Sequence, residues 1–121
     1  MAYKDFKQMS VWEKAFNLLV RIYTITKTFP NEEKFGMISD MRRAANSVVH
    51  NIAEGFGRFE KHDKTRFYKI SRGSCYELIS QTLASYELHF ITDNSVMLEL
   101  ENGYKDVIKE LDSLIKTIEK N

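Results

Sequence analysis

Between Asp40 and Arg72 the chain reads DMRRAANSVVHNIAEGFGRFEKHDKTRFYKISR, and this stretch narrows the possible folds more than any other. Met41, Ala44, Ala45, Val48, Val49, Ile52 and Phe56 recur at helical spacing before Gly55 and Gly57 interrupt the pattern and a basic segment begins. The spacing predicts a helix over about residues 37 to 56. Ala44, Ala45 and Ala53 keep that helix thin, which allows close helix approach and places it centrally. The two glycines read as backbone freedom for leaving the helix and turning back.

Three more helices follow from the same period. The first covers about residues 10 to 29 and opens with Ser10 and Glu13 at the spacing of a capping box. Val11, Ala15, Leu18, Ile22, Ile25 and Phe29 form one stripe, and Trp12, Phe16, Leu19 and Tyr23 form a second about 100° away. A helix apolar over so wide an arc needs cover on two sides. Pro30 stops it, residues 31–36 connect, and residues 1–9, with Tyr3 and Phe6, form an extension leaning on the bundle.

The third helix covers about residues 60 to 90, with a near-heptad seam of Phe67, Ile70, Ser74, Leu78, Gln81, Ser85 and Leu88. Its second face begins with Arg58, Lys61, Thr65, Tyr68 and Arg72 and turns apolar at Ile79, Leu83, Tyr86 and Phe90. The fourth, about residues 95 to 119, carries Met97, Leu100, Tyr104, Val107, Ile108, Leu111, Leu114, Ile115 and Ile118 on one side and a mostly acidic face on the other. Gly103 weakens it by up to ~1 kcal/mol relative to alanine. With no strand-period segment in competition, the fold expected is all-α: one antiparallel up-down-up-down four-helix bundle over residues 1–121. Two helices carry more apolar surface than such a core uses, so a homo-oligomer is expected, the alternative being that the N-terminal extension covers the excess.

Charge is unevenly placed. Residues 41–73 carry eight Lys and Arg against three Asp and Glu, whereas residues 74–121 carry four against nine. The sums, +5 and −5, suit an anionic partner at the middle segment or a contact with the acidic end of a neighbouring chain. No apolar run reaches the ~20 residues of a membrane span, and the N-terminus lacks a signal-peptide core, so the expected location is the cytoplasm. A single cysteine, Cys75, agrees with a reducing compartment and reads as a small buried hydrophobe.

Catalytic and cofactor chemistry find little support. Glu-x-x-His, the di-iron motif of bundles, does not occur, and His50 with Glu54 makes one helical pair suited to a hydrogen bond at an interface. The segment Gly55-Phe56-Gly57 follows a helix instead of a strand, so it is not a phosphate loop. Ser47, Ser71, Ser74 and Cys75 have no matching base and orienting group. Neither metal, cofactor nor enzyme activity is expected. The remaining lead is Arg58, Lys61, Lys64, Lys69 and Arg72, interleaved with Phe59 and Tyr68, a mixture that neutralises phosphates and stacks on bases. A solvated helix face reads the same way. Arg43 lies on the polar side of its helix as a further basic contributor, and Arg42 flanks the core where it can snorkel or pair with Glu77.

At RRAANSVVHNIAEGFGR, residues 42–58, and RGSCYEL, residues 72–78, the chain resembles the four-helix-bundle proteins encoded in intervening sequences of bacterial 23S ribosomal RNA genes. These are similar to the accessory variability protein of diversity-generating retroelements. The matching positions are Arg42, Arg43, Asn51, Glu54, Gly55, Gly57, Arg58, Gly73, Ser74, Glu77 and Leu78. The chain departs from the pattern at Val49, where proline is frequent, and at His50. The resemblance implies a homopentamer that engages RNA or DNA, or a nucleic-acid-processing protein such as a reverse transcriptase. Arg43, Arg58, Lys61, Lys64, Tyr68, Lys69 and Arg72 are the candidate contacts.

Overall fold

The computed structural model describes residues 4–120 and builds them around four helices: α1 Ser10–Thr26, α2 Met37–Gly57, α3 Lys61–Glu87 and α4 Asn94–Lys120. Each packs on the next and α4 closes against α1, leaving α1 and α3 on one diagonal and α2 and α4 on the other. Partners across the helices fix their directions. Tyr23 meets Asn46 while Thr26 meets Arg42; Ser47 meets Ser74 while Met41 meets Ser85. Lys69 meets Glu119 while Arg72 meets Asp112, and Lys14 meets Glu110 while Arg21 meets Glu99. In every set one number rises as the other falls, which is the antiparallel up-down-up-down order.

The first apolar stripe of α1 and those of α2 and α4 supply the core as their spacing predicts, with Ile22, Met41, Val48, Ile52, Leu100, Tyr104 and Leu111 fully buried. The ends of α1 differ from expectation. Ser10 is already inside the helix; Met9 takes the cap position, no side chain caps the turn, and the amide of Glu13 donates to the Met9 carbonyl. At the other end α1 stops at Thr26, because the Thr28 and Phe29 amides bond back three residues and tighten the chain. Phe29 still reaches the core, its ring 5.5 Å from that of Phe90. Helix α3 likewise stops at Glu87, since His89 adopts a left-handed φ of 64° and lets the amides of Phe90 and Ile91 cap the Ser85 carbonyl.

The inward face of α3 is rotated from the near-heptad reading. Thr65, Tyr68, Ser71, Cys75, Leu78, Ile79, Thr82 and Ser85 are buried, while Ile70 and Leu88 face solvent. The thin face of α2 explains the choice: a close approach takes small side chains in preference to bulky ones. Ser71 Oγ donates to the Val48 carbonyl at 2.8 Å and Ser85 Oγ to Met41 Sδ at 3.6 Å, so these two buried hydroxyls find partners across the interface, whereas Thr82 Oγ1 on the same face has none.

Gly55 and Gly57 correct the turn reading as well. Both lie in α2, and neither has a positive φ. At Gly55 a Cβ would stand 2.6 Å from the Tyr68 ring, so this glycine makes room for a neighbour. Gly103 does the same for Leu18, whose methyl would lie 2.7 Å away. Burial pushes the Tyr68 hydroxyl and the Cys75 thiol each up to about 12, and raises Tyr104 further.

The N-terminal extension covers only part of the spare surface. Phe6 packs edge-on against Trp12, which stacks on Phe16, but Phe16, Val20 and Tyr23 stay exposed. Tyr3 of the expected extension lies outside the described residues. Arg42 lies over the Tyr23 ring at 4.5 Å and donates to Thr26 Oγ1 at 3.0 Å, so it does not pair with Glu77.

Two outcomes follow. Gly55→Ala must displace the Tyr68 ring, and equilibrium unfolding in urea should show a loss of about 1–3 kcal/mol. A folded-state pKa above the unfolded value adds stability that is complete below the unfolded value and disappears as pH rises through the folded one. Unfolding free energy should therefore fall from about pH 9 towards 12 as Cys75 and then the two tyrosines ionise in the unfolded chain. In Cys75→Ala the fall should begin nearer pH 10.

Candidate nucleic-acid interface

The candidate residues other than Arg43 lie where α2 ends and α3 begins and along the side of α3 that faces α4; Arg43 stands apart, about four turns back towards the start of α2. Residues 58–60 join the two helices with an extended Arg58, so Phe59 projects into solvent with 98% of its surface exposed. Arg58 stacks on the Phe67 ring at 4.7 Å and Arg66 stacks on it at 4.4 Å. Arg58 also forms an ion pair with Glu54 at 3.0 Å, one turn back on α2.

Lys64 has a different task. Its Nζ donates to the carbonyls of Phe56 at 2.8 Å and Gly55 at 3.3 Å, so it caps the C-terminal end of α2. Farther along, Lys69 pairs with Glu119 and Arg72 with Asp112, both across the α3–α4 seam. The bond to Asp112 raises the Arg72 pKa. Arg43 pairs with Asp40 on its own helix. Lys61 is exposed at the first turn of α3.

Tyr68 corrects the expectation most clearly. Only 3% of it is exposed, beneath Gly55, so it offers no ring for a base to stack on. Phe59, Phe67 and half-buried Phe56, whose ring lies 5.8 Å from Lys64 Nζ, are aromatic groups at this corner. Arg66 is not among the residues the basic series singles out; its position beside Phe67, eight residues after Arg58, is the signal in the sequence that points to it.

The contrast between the basic and acidic segments is answered in part inside the chain, by two ion pairs. The positive side of α3 lies along the negative side of α4. His50 and Glu54 do not act as a pair, since Glu54 turns to Arg58 and His50 faces solvent. Among the described residues no group of three His, Cys, Asp or Glu side chains converges to hold a metal, and no helix is long and apolar enough to cross a membrane. The one described thiol is buried.

Comparison with known proteins agrees with this architecture. A crystal structure of a protein with unknown function from the S23 ribosomal protein family of Bacteroides thetaiotaomicron superposes with a TM-score of 0.78. It is 22% identical, and the match covers 88% of this chain and 98% of that one. No curated protein matches in sequence. The model of the 23S rRNA-intervening sequence protein family matches residues 7–116, so the chain belongs to that family.

Proposed function

We propose that the chain is a non-enzymatic homo-oligomeric interaction protein of the cytoplasm, holding a protein partner of the nucleic-acid-processing kind on its assembled surface. The observation that carries this reading is the apolar surface left on the outside of α1 and α3. Phe16, Val20 and Tyr23 on one helix and Ile70, Tyr76 and Leu83 on the other are each about two-fifths to one-half exposed. A monomer seldom leaves such faces uncovered. The resemblance to pentameric relatives supports five copies.

Direct binding of RNA or DNA is the second reading, favoured by the stacked Arg58, Phe67 and Arg66 beside exposed Phe59. Against it, Arg43, Arg58, Lys69 and Arg72 have acidic partners, and Lys64 is engaged with the end of α2. Such surface pairs are weak and exchangeable, so phosphates can compete for them. The geometry simply provides less unopposed charge than the linear sequence suggests.

Light scattering on the purified chain, beside a salt titration against labelled structured RNA, separates the readings. The first predicts a mass of several copies and negligible RNA affinity near physiological salt. The second predicts that log K falls with log salt at a slope of about −2 to −3, for roughly three phosphates per protomer. Arg58→Glu with Arg66→Glu should then abolish binding. A monomeric mass at all accessible concentrations would refute the oligomer reading.

A further inference from the structure

The two exposed faces differ from each other, and that difference bears on how copies meet. Along α1, Glu13, Phe16, Val20, Tyr23 and Lys27 recur at steps of three and four and all are exposed. Along α3, Lys69, Gly73, Tyr76, Ser80, Leu83 and Glu87 recur in the same way and are exposed too. Because α1 and α3 occupy one diagonal of the bundle, these faces point away from each other. A twofold dimer uses one face against itself, whereas two unlike faces on opposite sides suit a head-to-tail contact repeated around a ring.

Gly73 supplies a second observation. Glycine disfavours a helix interior relative to alanine, yet Gly73 stands in the middle of a 27-residue helix. Gly55 and Gly103 each make room for a side chain of the same chain, but a Cβ at Gly73 would meet nothing within 4 Å. The missing side chain leaves the helix backbone open to the outside at this point of the stripe. The α1 face carries bulky groups of the opposite form, and its Tyr23 is held in place by Arg42 and Asn46.

Charge then sets the direction. In an up-down-up-down bundle α1 and α3 run the same way, so both start at the end of the bundle that carries the α2–α3 turn. The α1 stripe is negative at that end, at Glu13, and positive at the other, at Lys27. The start of the α3 stripe is positive at exposed Arg66 and at Lys69, which also reaches Glu119 of α4, and its end is negative at Glu87. Copies placed side by side in the same direction bring opposite charges together at both ends; reversing one copy brings like charges together.

From this we infer that the α1 face of one copy docks on the α3 face of the next, with parallel bundles and Gly73 beneath the Phe16–Val20–Tyr23 ridge. The inference rests on the homo-oligomer reading and names its interface. It makes each copy both a donor and a receiver, so blocking either face alone prevents every contact.

The test uses Val20→Arg and Gly73→Arg in the full chain, each checked for helicity by circular dichroism and weighed by light scattering. Wild type should have the mass of several copies, and each variant alone the mass of a monomer. An equimolar mixture should form a one-to-one heterodimer, because Val20→Arg retains an α3 face and Gly73→Arg retains an α1 face. If Gly73→Arg keeps the wild-type mass, α1 faces pair with themselves or the contact lies elsewhere, and the inference is overturned. A wild type that is monomeric removes the oligomer reading itself.

Should either variant lose helicity, exposed Lys27→Glu and Glu87→Lys keep the question decidable. Each alone should weaken assembly about fivefold, and both in one chain should restore it. Absence of rescue overturns the parallel pairing.

Discussion

Close contact between α2 and α3 is the constraint from which the remaining structure follows. Ala44, Ala45 and Val48 are buried on α2 and Ser71, Cys75 and Ser85 on α3, and the serines bond to the Val48 carbonyl and the Met41 thioether across the gap. Ser47 and Ser74 share a 2.8 Å hydrogen bond at its edge, where Asn51 joins them. Small residues bring the helix axes together; bulky ones would hold them apart and leave the hydroxyls without partners. Once this pair is set, Tyr68 fits beneath Gly55, and Lys64 lies where it can cap the end of α2.

That pairing also decides where the charge goes. With Ser71 and Cys75 turned towards α2, Lys69 and Arg72 fall along the α4 seam and meet Glu119 and Asp112. Two of the opposed charges therefore pair within a protomer, across the α3–α4 seam. Each exposed pair contributes little to stability, but together they orient α4 and reduce the field available to a distant anion. The basic character that survives is concentrated at the α2–α3 corner, around Arg58, Arg66 and Phe67.

Much of this protein was determined by the sequence alone. Helix number and order, the stripes of α1, α2 and α4, and the family motif were legible because helical period is a local property, written over spans of about 10–25 residues. Large apolar side chains every third or fourth position have one way to hide together. The rotation of α3, the purpose of Gly55 and the partners of Lys64, Lys69 and Arg72 were decided only by tertiary structure. They depend on which faces meet between residues 8 to 50 positions apart. The Asp40–Arg72 stretch shows the division within a few residues: its periodicity declared a helix, but only the neighbour's Tyr68 ring, occupying the space where a Cβ would stand, made Gly55 a packing residue instead of a turn.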